Sequence, residues 1–197
     1  MTEQHTDRVV ERFHATNGRV SGYVGLACTA LILAFAIAAR DTGRPLGVAI
    51  LALLGALLVW AVMLRPSLWA TDRDLVMRGI YHTDTIPLAA IDRVAVGQVT
   101  SVTVGERRFV TPVVGYTARQ TIKQRGAARK PDGKAAGPAD TYQVFVEERI
   151  SHLAREAAER APGTGSTPAA PRRTYAWPEI VGTGVLVVAF LVWLLVL

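Results

Sequence analysis

Three stretches of this chain carry no charge at all: Gly22 to Ala39, Leu46 to Leu64 and Ile180 to Leu197, of 18, 19 and 18 residues. An α-helix rises about 1.5 Å per residue, so each run is close to the length that crosses the roughly 30 Å of a bilayer's hydrocarbon core. The expectation is three transmembrane helices, which absorb most of the chain's 50% hydrophobic content. The first run does not read as a signal peptide. It starts late, has no small-x-small cleavage site ahead of polar sequence, and is followed within seven residues by the second run.

Arg40 to Pro45 is too short to do more than reverse the chain between the first two runs, so residues 22–64 read as a transmembrane hairpin. Small residues recur along both halves: Gly25, Ala30, Ala34 and Ala38, then Ala49, Ala52, Gly55 and Ala56. Lipid offers no hydrophobic push between helices, so close backbone approach at small residues has to hold them together. Neither half contains an ionisable residue, which argues against a transporter or proton channel built from this chain alone. Trp60, Trp69, Tyr175, Trp177 and Trp193 read as depth markers at the headgroup level, the alternative being core or partner contacts. Cys28 is the single cysteine and lies inside the first run, which excludes an intrachain disulfide and a cysteine metal cluster.

Between Arg65 and Arg173 the chain holds 17 Lys and Arg against 11 Asp and Glu, so the whole formal charge of +6 sits there. Basic segments beside spans stay on the cytoplasmic side. This puts the N-terminus and the middle region in the cytoplasm of a plasma-membrane protein, with the C-terminus at the outer face. Residues 1–21 read as an N-terminal cytoplasmic tail. Within it, Val9, Val10 and Phe13 could line a short interfacial helix, the alternative being a partly ordered tail.

Residues 65–161 read as one domain. Asp74 to Arg78 and Tyr81 to Pro87 form two short strands around a turn at Gly79, and a third strand covers Ile91 to Val96. Ser101 to Val104 and Arg108 to Pro112 form a hairpin about Gly105. Val102 and Val104 alternate with Ser101 and Thr103, the pattern of a sheet with one buried face. Residues 119–139 are an insertion rich in Lys, Arg, Gly and Pro. From Asp140, an N-cap with Gln143 as capping-box partner, a helix runs to about Arg160. Its residues Tyr142, Val146, Ile150, Leu153 and Ala157 make one apolar stripe that needs a sheet to cover. Residues 162–173 form a linker back to the last span, 174–197.

The wording Ala70-Thr71-Asp72 into Leu75-Val76-Met77-Arg78, then Thr85-Ile86-Pro87 with Ile91-Asp92-Arg93-Val94 following, resembles the bacterial PH-like domain of small actinobacterial membrane proteins. The resemblance covers Arg65 to Ala161 with the preceding hairpin. It implies an α+β membrane protein: a PH-like β-barrel or sandwich with a closing C-terminal helix, behind a transmembrane hairpin and ahead of one further span. It also implies an anchored interaction module. The sequence departs from that pattern in having Leu88 where a tryptophan often follows Ile-Pro, and in the basic insertion.

Catalysis is not expected. His5, His14, His82 and His152 lack metal-ligand spacing, Gly133-Lys134 lacks the flanks of a phosphate-cradling loop, and strand-end Asp72, Asp74, Asp84 and Asp92 serve turns. No cofactor or metal is expected. The candidate binding residues are Arg119, Lys123, Arg125, Arg129, Lys130 and Lys134, six cations against the single acid Asp132. Each basic residue near an anionic leaflet contributes on the order of 1 kcal/mol at most, so anionic lipid headgroups are one expected partner, the alternative being a solvated loop that keeps a basic domain soluble. Nucleic acid is disfavoured because no aromatic side chains interleave with these charges. A protein partner or a second copy of the chain is the other expectation. The leading reading is a non-catalytic scaffold, and the alternative is an accessory subunit of a larger respiratory or cell-envelope assembly.

Overall fold

The computed structural model describes residues 8–16, 18–39, 45–115, 138–160 and 169–196. Their fold is α+β, with two antiparallel sheets and three helices long and apolar enough to cross a membrane. The elements in order are β1 (Val9–Phe13), α1 (Arg19–Ala38), α2 (Pro45–Val59) ending in a π-helical turn (Trp60–Leu64), β2 (Ser67–Thr71), β3 (Asp74–Arg78) and β4 (His82–Pro87). After a 3-10 turn (Leu88–Ala90) come β5 (Arg93–Val96), β6 (Thr100–Val104), β7 (Arg107–Thr111), α3 (Pro138–Arg160), β8 (Arg172–Tyr175) and α4 (Trp177–Val196). Two compact units emerge: one of Met1–Asn17, Ser67–Arg78 and Thr83–Arg173, the other of Gly18–Pro66, Gly79–His82 and Thr174–Leu197.

The first unit is built on strands. One sheet has the order β1-β2-β3-β4-β8 and the other β5-β6-β7. Side chains alternate across a strand, so β3 buries Leu75 and Met77 and leaves Val76 half-buried, while Val94, Val102 and Phe109 form a buried row across the second sheet. Helix α3 lays its expected stripe over this interior: Val146, Ile150 and Leu153 are buried with Phe13, Leu68, Leu75, Ile86 and Val102, and Tyr142 and Ala157 pack at the margin. Truncating such a residue costs about 2–5 kcal/mol.

Several expectations change on this framework. Val9, Val10 and Phe13 form neither an interfacial helix nor a loose tail. They belong to β1, which pairs antiparallel with β2 (Phe13 opposite Leu68), and Phe13 enters the core. Trp69, expected as a depth marker, lies in β2 opposite Arg12 and Val76. The end of the expected linker is a strand, β8. Helix α3 begins at Pro138, ahead of the expected cap at Asp140, and Gln143 is buried inside rather than reaching back as a capping partner. The hairpin at Gly105 forms as expected: Gly105 has φ +56°, where a Cβ would be strained, and Val104 faces Arg107.

The second unit is built on helices that approach through small residues. A Cβ at Gly22 would lie 3.0 Å from Leu64 Cδ2, and one at Gly25 would lie 3.1 Å from Val59 Cγ1. Gly47 is closer still, since the indole of Trp193 occupies the space a Cβ would need, so Trp193 is a packing residue of α2 and α4. At the far end of α2 the backbone widens, and Arg65 N–H donates to Trp60 O, five residues back, at 2.9 Å.

Candidate functional site

Of the residues expected to bind a partner, Arg119, Lys123, Arg125, Arg129, Lys130 and Lys134 lie outside the described residues. The described part of the strand unit offers instead the outer face of β5-β6-β7. Residues opposite one another on antiparallel strands share a face. Arg93 is opposite Thr103, and Thr103 is opposite Arg108, which makes one cross-strand row of arginine, threonine and arginine. The next row on that face is Ala95, Ser101 and Val110. Both guanidinium groups are exposed, and among the described residues neither forms an ion pair.

Arg93, Ala95, Ser101, Thr103 and Arg108 line a shallow depression of about 250 Å3. Arg93 also borders a second depression of similar size, between β5 and α3, together with Asp92, Ser151 and Arg155. The turn beneath is fixed from both sides: Asp92 N–H donates to Thr103 O at 3.0 Å, and Asp92 Oδ2 accepts from Gly105 N–H at 2.5 Å. At the other end of β5, Val96 N–H donates to Glu147 Oε2 of α3 at 3.0 Å. The strands that carry the arginines are therefore held rigidly, and the side chains are free to meet a ligand.

Other charges in this unit are committed to structure. Arg173 forks onto Asp84, with Nε 2.6 Å from Oδ1 and Nη2 3.0 Å from Oδ2. A planar guanidinium matches a carboxylate in this geometry, and it ties β8 to β4. Arg149 Nε meets Glu11 Oε2 at 2.6 Å, fastening α3 to β1, and that carboxylate raises the Arg149 pKa. Tyr142 places its hydroxyl between His14 N–H (2.8 Å) and His14 O (3.3 Å), and burial pushes its pKa above the ordinary 10.0. Just beyond, Thr16 N–H donates to Val113 O, while Gly115 O accepts from Thr16 Oγ1 and from Gln143 Nε2, both at 3.1 Å. The chain after β1 is thus stitched to the chain after β7.

The helical unit concentrates its polarity at one point. Arg65 and Glu179 form a 2.9 Å pair whose side chains are only 4% and 12% exposed. The same guanidinium donates to the carbonyls of Gly79 and Ile80, the latter at 2.9 Å. Tyr81 completes the cluster: its carbonyl accepts from Ala176 N–H at 2.8 Å, and its hydroxyl lies 3.2 Å from Thr183 Oγ1. Glu179 sits in the first turn of α4, where a negative charge complements the exposed N–H groups.

Among the described residues no group of three or more His, Cys, Asp or Glu side chains is placed to hold a metal ion. Comparison with protein-family models, with curated proteins and with solved structures finds no match to this chain. Arg93 and Arg108 do not stand out in the sequence, because neither belongs to a long run of charge. The signal that the sequence does contain is the Gly105 turn, which sets Thr103 opposite Arg108 and so fixes the row.

Proposed function

We propose that this protein is a membrane-anchored, non-catalytic PH-like module, whose strand unit stands at the cytoplasmic face of the plasma membrane and holds a protein partner or anionic lipid there. The observation that carries the reading is the division of the strands into a five-stranded sheet, β1 to β4 with β8, and a three-stranded one, β5 to β7, with α3 covering the interior. The resemblance to bacterial PH-like domains implies short strands followed by one closing helix, and the bonds from Thr16 to Val113 and Gly115, which join the chain after β1 to the chain after β7, support that reading. In this reading α1 and α2 form a transmembrane hairpin inserted between β1 and β2, and α4 is the third span. The excess of arginines and lysines between the second and third spans supports the inward orientation.

An accessory subunit of a larger membrane assembly is the second reading. It is favoured by α4, which buries none of its residues and leaves Val181, Val185, Val188 and Val192 open along its length. Mild-detergent purification of the full chain from native membranes tests both. The scaffold reading expects a partner that exchanges and is recovered in less than equal amount. One stoichiometric complex that survives purification favours the subunit. An enzymatic turnover that copurifies with the isolated chain would contradict both.

A further inference from the structure

The geometry points to the outer face of β5-β6-β7 as a binding site for a phosphate group, gripped by Arg93 and Arg108 over the hydroxyl of Thr103. The inference stands apart from the basic insertion and needs none of its residues. Neighbouring strands lie about 4.8 Å apart, so the backbones of Arg93 and Arg108 are about 10 Å apart with one strand between them. Two arginine side chains rising from that spacing can close on a single small anion. Each offers planar paired donors, the arrangement that suits phosphate oxygens better than a point charge does.

Three features together support a site at this row. Both guanidinium groups lack an ion-pair partner among the described residues, unlike Arg65, Arg149 and Arg173. They border one depression of about 250 Å3, floored by Ala95, Ser101 and Thr103, which leaves room for a tetrahedral group. The strands beneath are fixed by Asp92 and Glu147, so the arginines are displayed from a rigid support and lose less freedom on binding. The acids beside these strands in the chain do not line the site: Asp92 borders the other depression and accepts from Gly105, and Glu106 lies on the exposed turn.

A phosphate can arrive on a soluble molecule or on a lipid headgroup. Two titrations of the full chain in neutral detergent micelles separate these sources: inorganic phosphate added to the solution, and phosphatidic acid added to the micelles. Each is repeated with Arg93→Gln/Arg108→Gln, with Arg12→Gln/Arg73→Gln, on β1 and the β2–β3 turn, as a charge-matched control, and with all six insertion cations changed to Gln. The site predicts that at least one probe binds and that the Arg93/Arg108 double variant weakens it about tenfold or more, the loss of charged hydrogen bonds. The control and the insertion variant retain most of the binding. Arg93→Lys, which keeps the charge and loses the fork, should fall between. Binding of phosphatidic acid alone assigns a lipid source, and binding of inorganic phosphate assigns a soluble one. If neither probe binds, or the control weakens binding as much as the double variant, or only the insertion variant loses it, the site is wrong.

Discussion

Arg65 in the helical unit and Arg93 with Arg108 in the strand unit are the same residue type put to opposite uses. Arg65 is buried and paired, with Glu179 on one side and the carbonyls of Gly79 and Ile80 on the other. Arg93 and Arg108 stand in water on a rigid sheet, and among the described residues no acid holds them. An arginine whose donors are spent inside the fold contributes stability, whereas one whose donors are left over remains available for recognition. Burial separates the two, because a charge removed from water must be matched on the spot, and an exposed one need not be.

The largest effect should come from breaking the buried member. Arg65→Ala removes the guanidinium that meets Glu179 and the carbonyls of Gly79 and Ile80, a loss of about 3–5 kcal/mol for breaking a buried pair, read as a lower unfolding midpoint in detergent. A midpoint unchanged by Arg65→Ala would erase the contrast. Next, Ile150→Ala should cost about 2–5 kcal/mol, showing that the strand unit rests on its apolar interior and not on its charges.

Smaller effects sharpen the contrast at intermediate exposure. Glu11→Gln removes a pair whose side chains are 25% and 37% exposed, and should cost about 1 kcal/mol or less in a denaturant titration. Tyr142 gives a dependence on pH. Its folded-state pKa lies above the ordinary 10.0, so the folded chain keeps a proton that the unfolded chain releases. That contribution is complete below pH 10 and is lost as pH rises beyond it. Tyr142→Phe should therefore lose less stability than the parent between neutral pH and the region above pH 10. Smallest of all, Arg93→Gln/Arg108→Gln should leave the midpoint within about 0.5 kcal/mol of the parent.

How much of the fold is legible in the sequence follows the range over which each signal acts. The three apolar runs, the stripe Tyr142-Val146-Ile150-Leu153-Ala157 and the Gly105 hairpin are local patterns, and the structure contains all of them. Strand β1 is illegible because its partner β2 lies beyond two apolar helices, and short pieces such as Val9–Phe13 declare themselves only against that partner. Strand β8 is illegible for another reason: Arg172–Tyr175 is exposed along its whole length and has no alternation to display. The Arg65–Glu179 pair joins residues far apart in sequence at the edges of apolar runs, where a charge ordinarily marks only the end of a span. The row of Arg93, Thr103 and Arg108 needs two registers at once, of which the turn supplies one.

The most direct test of the account is which side of the membrane the strand unit occupies. Glu106→Cys, on the exposed β6–β7 turn, placed in a Cys28→Ser background, gives the chain a single reporter thiol. A membrane-impermeant maleimide should fail to label it in intact cells and should label it once the membrane is permeabilised. Labelling of that thiol in intact cells would put the strand unit outside and contradict the account.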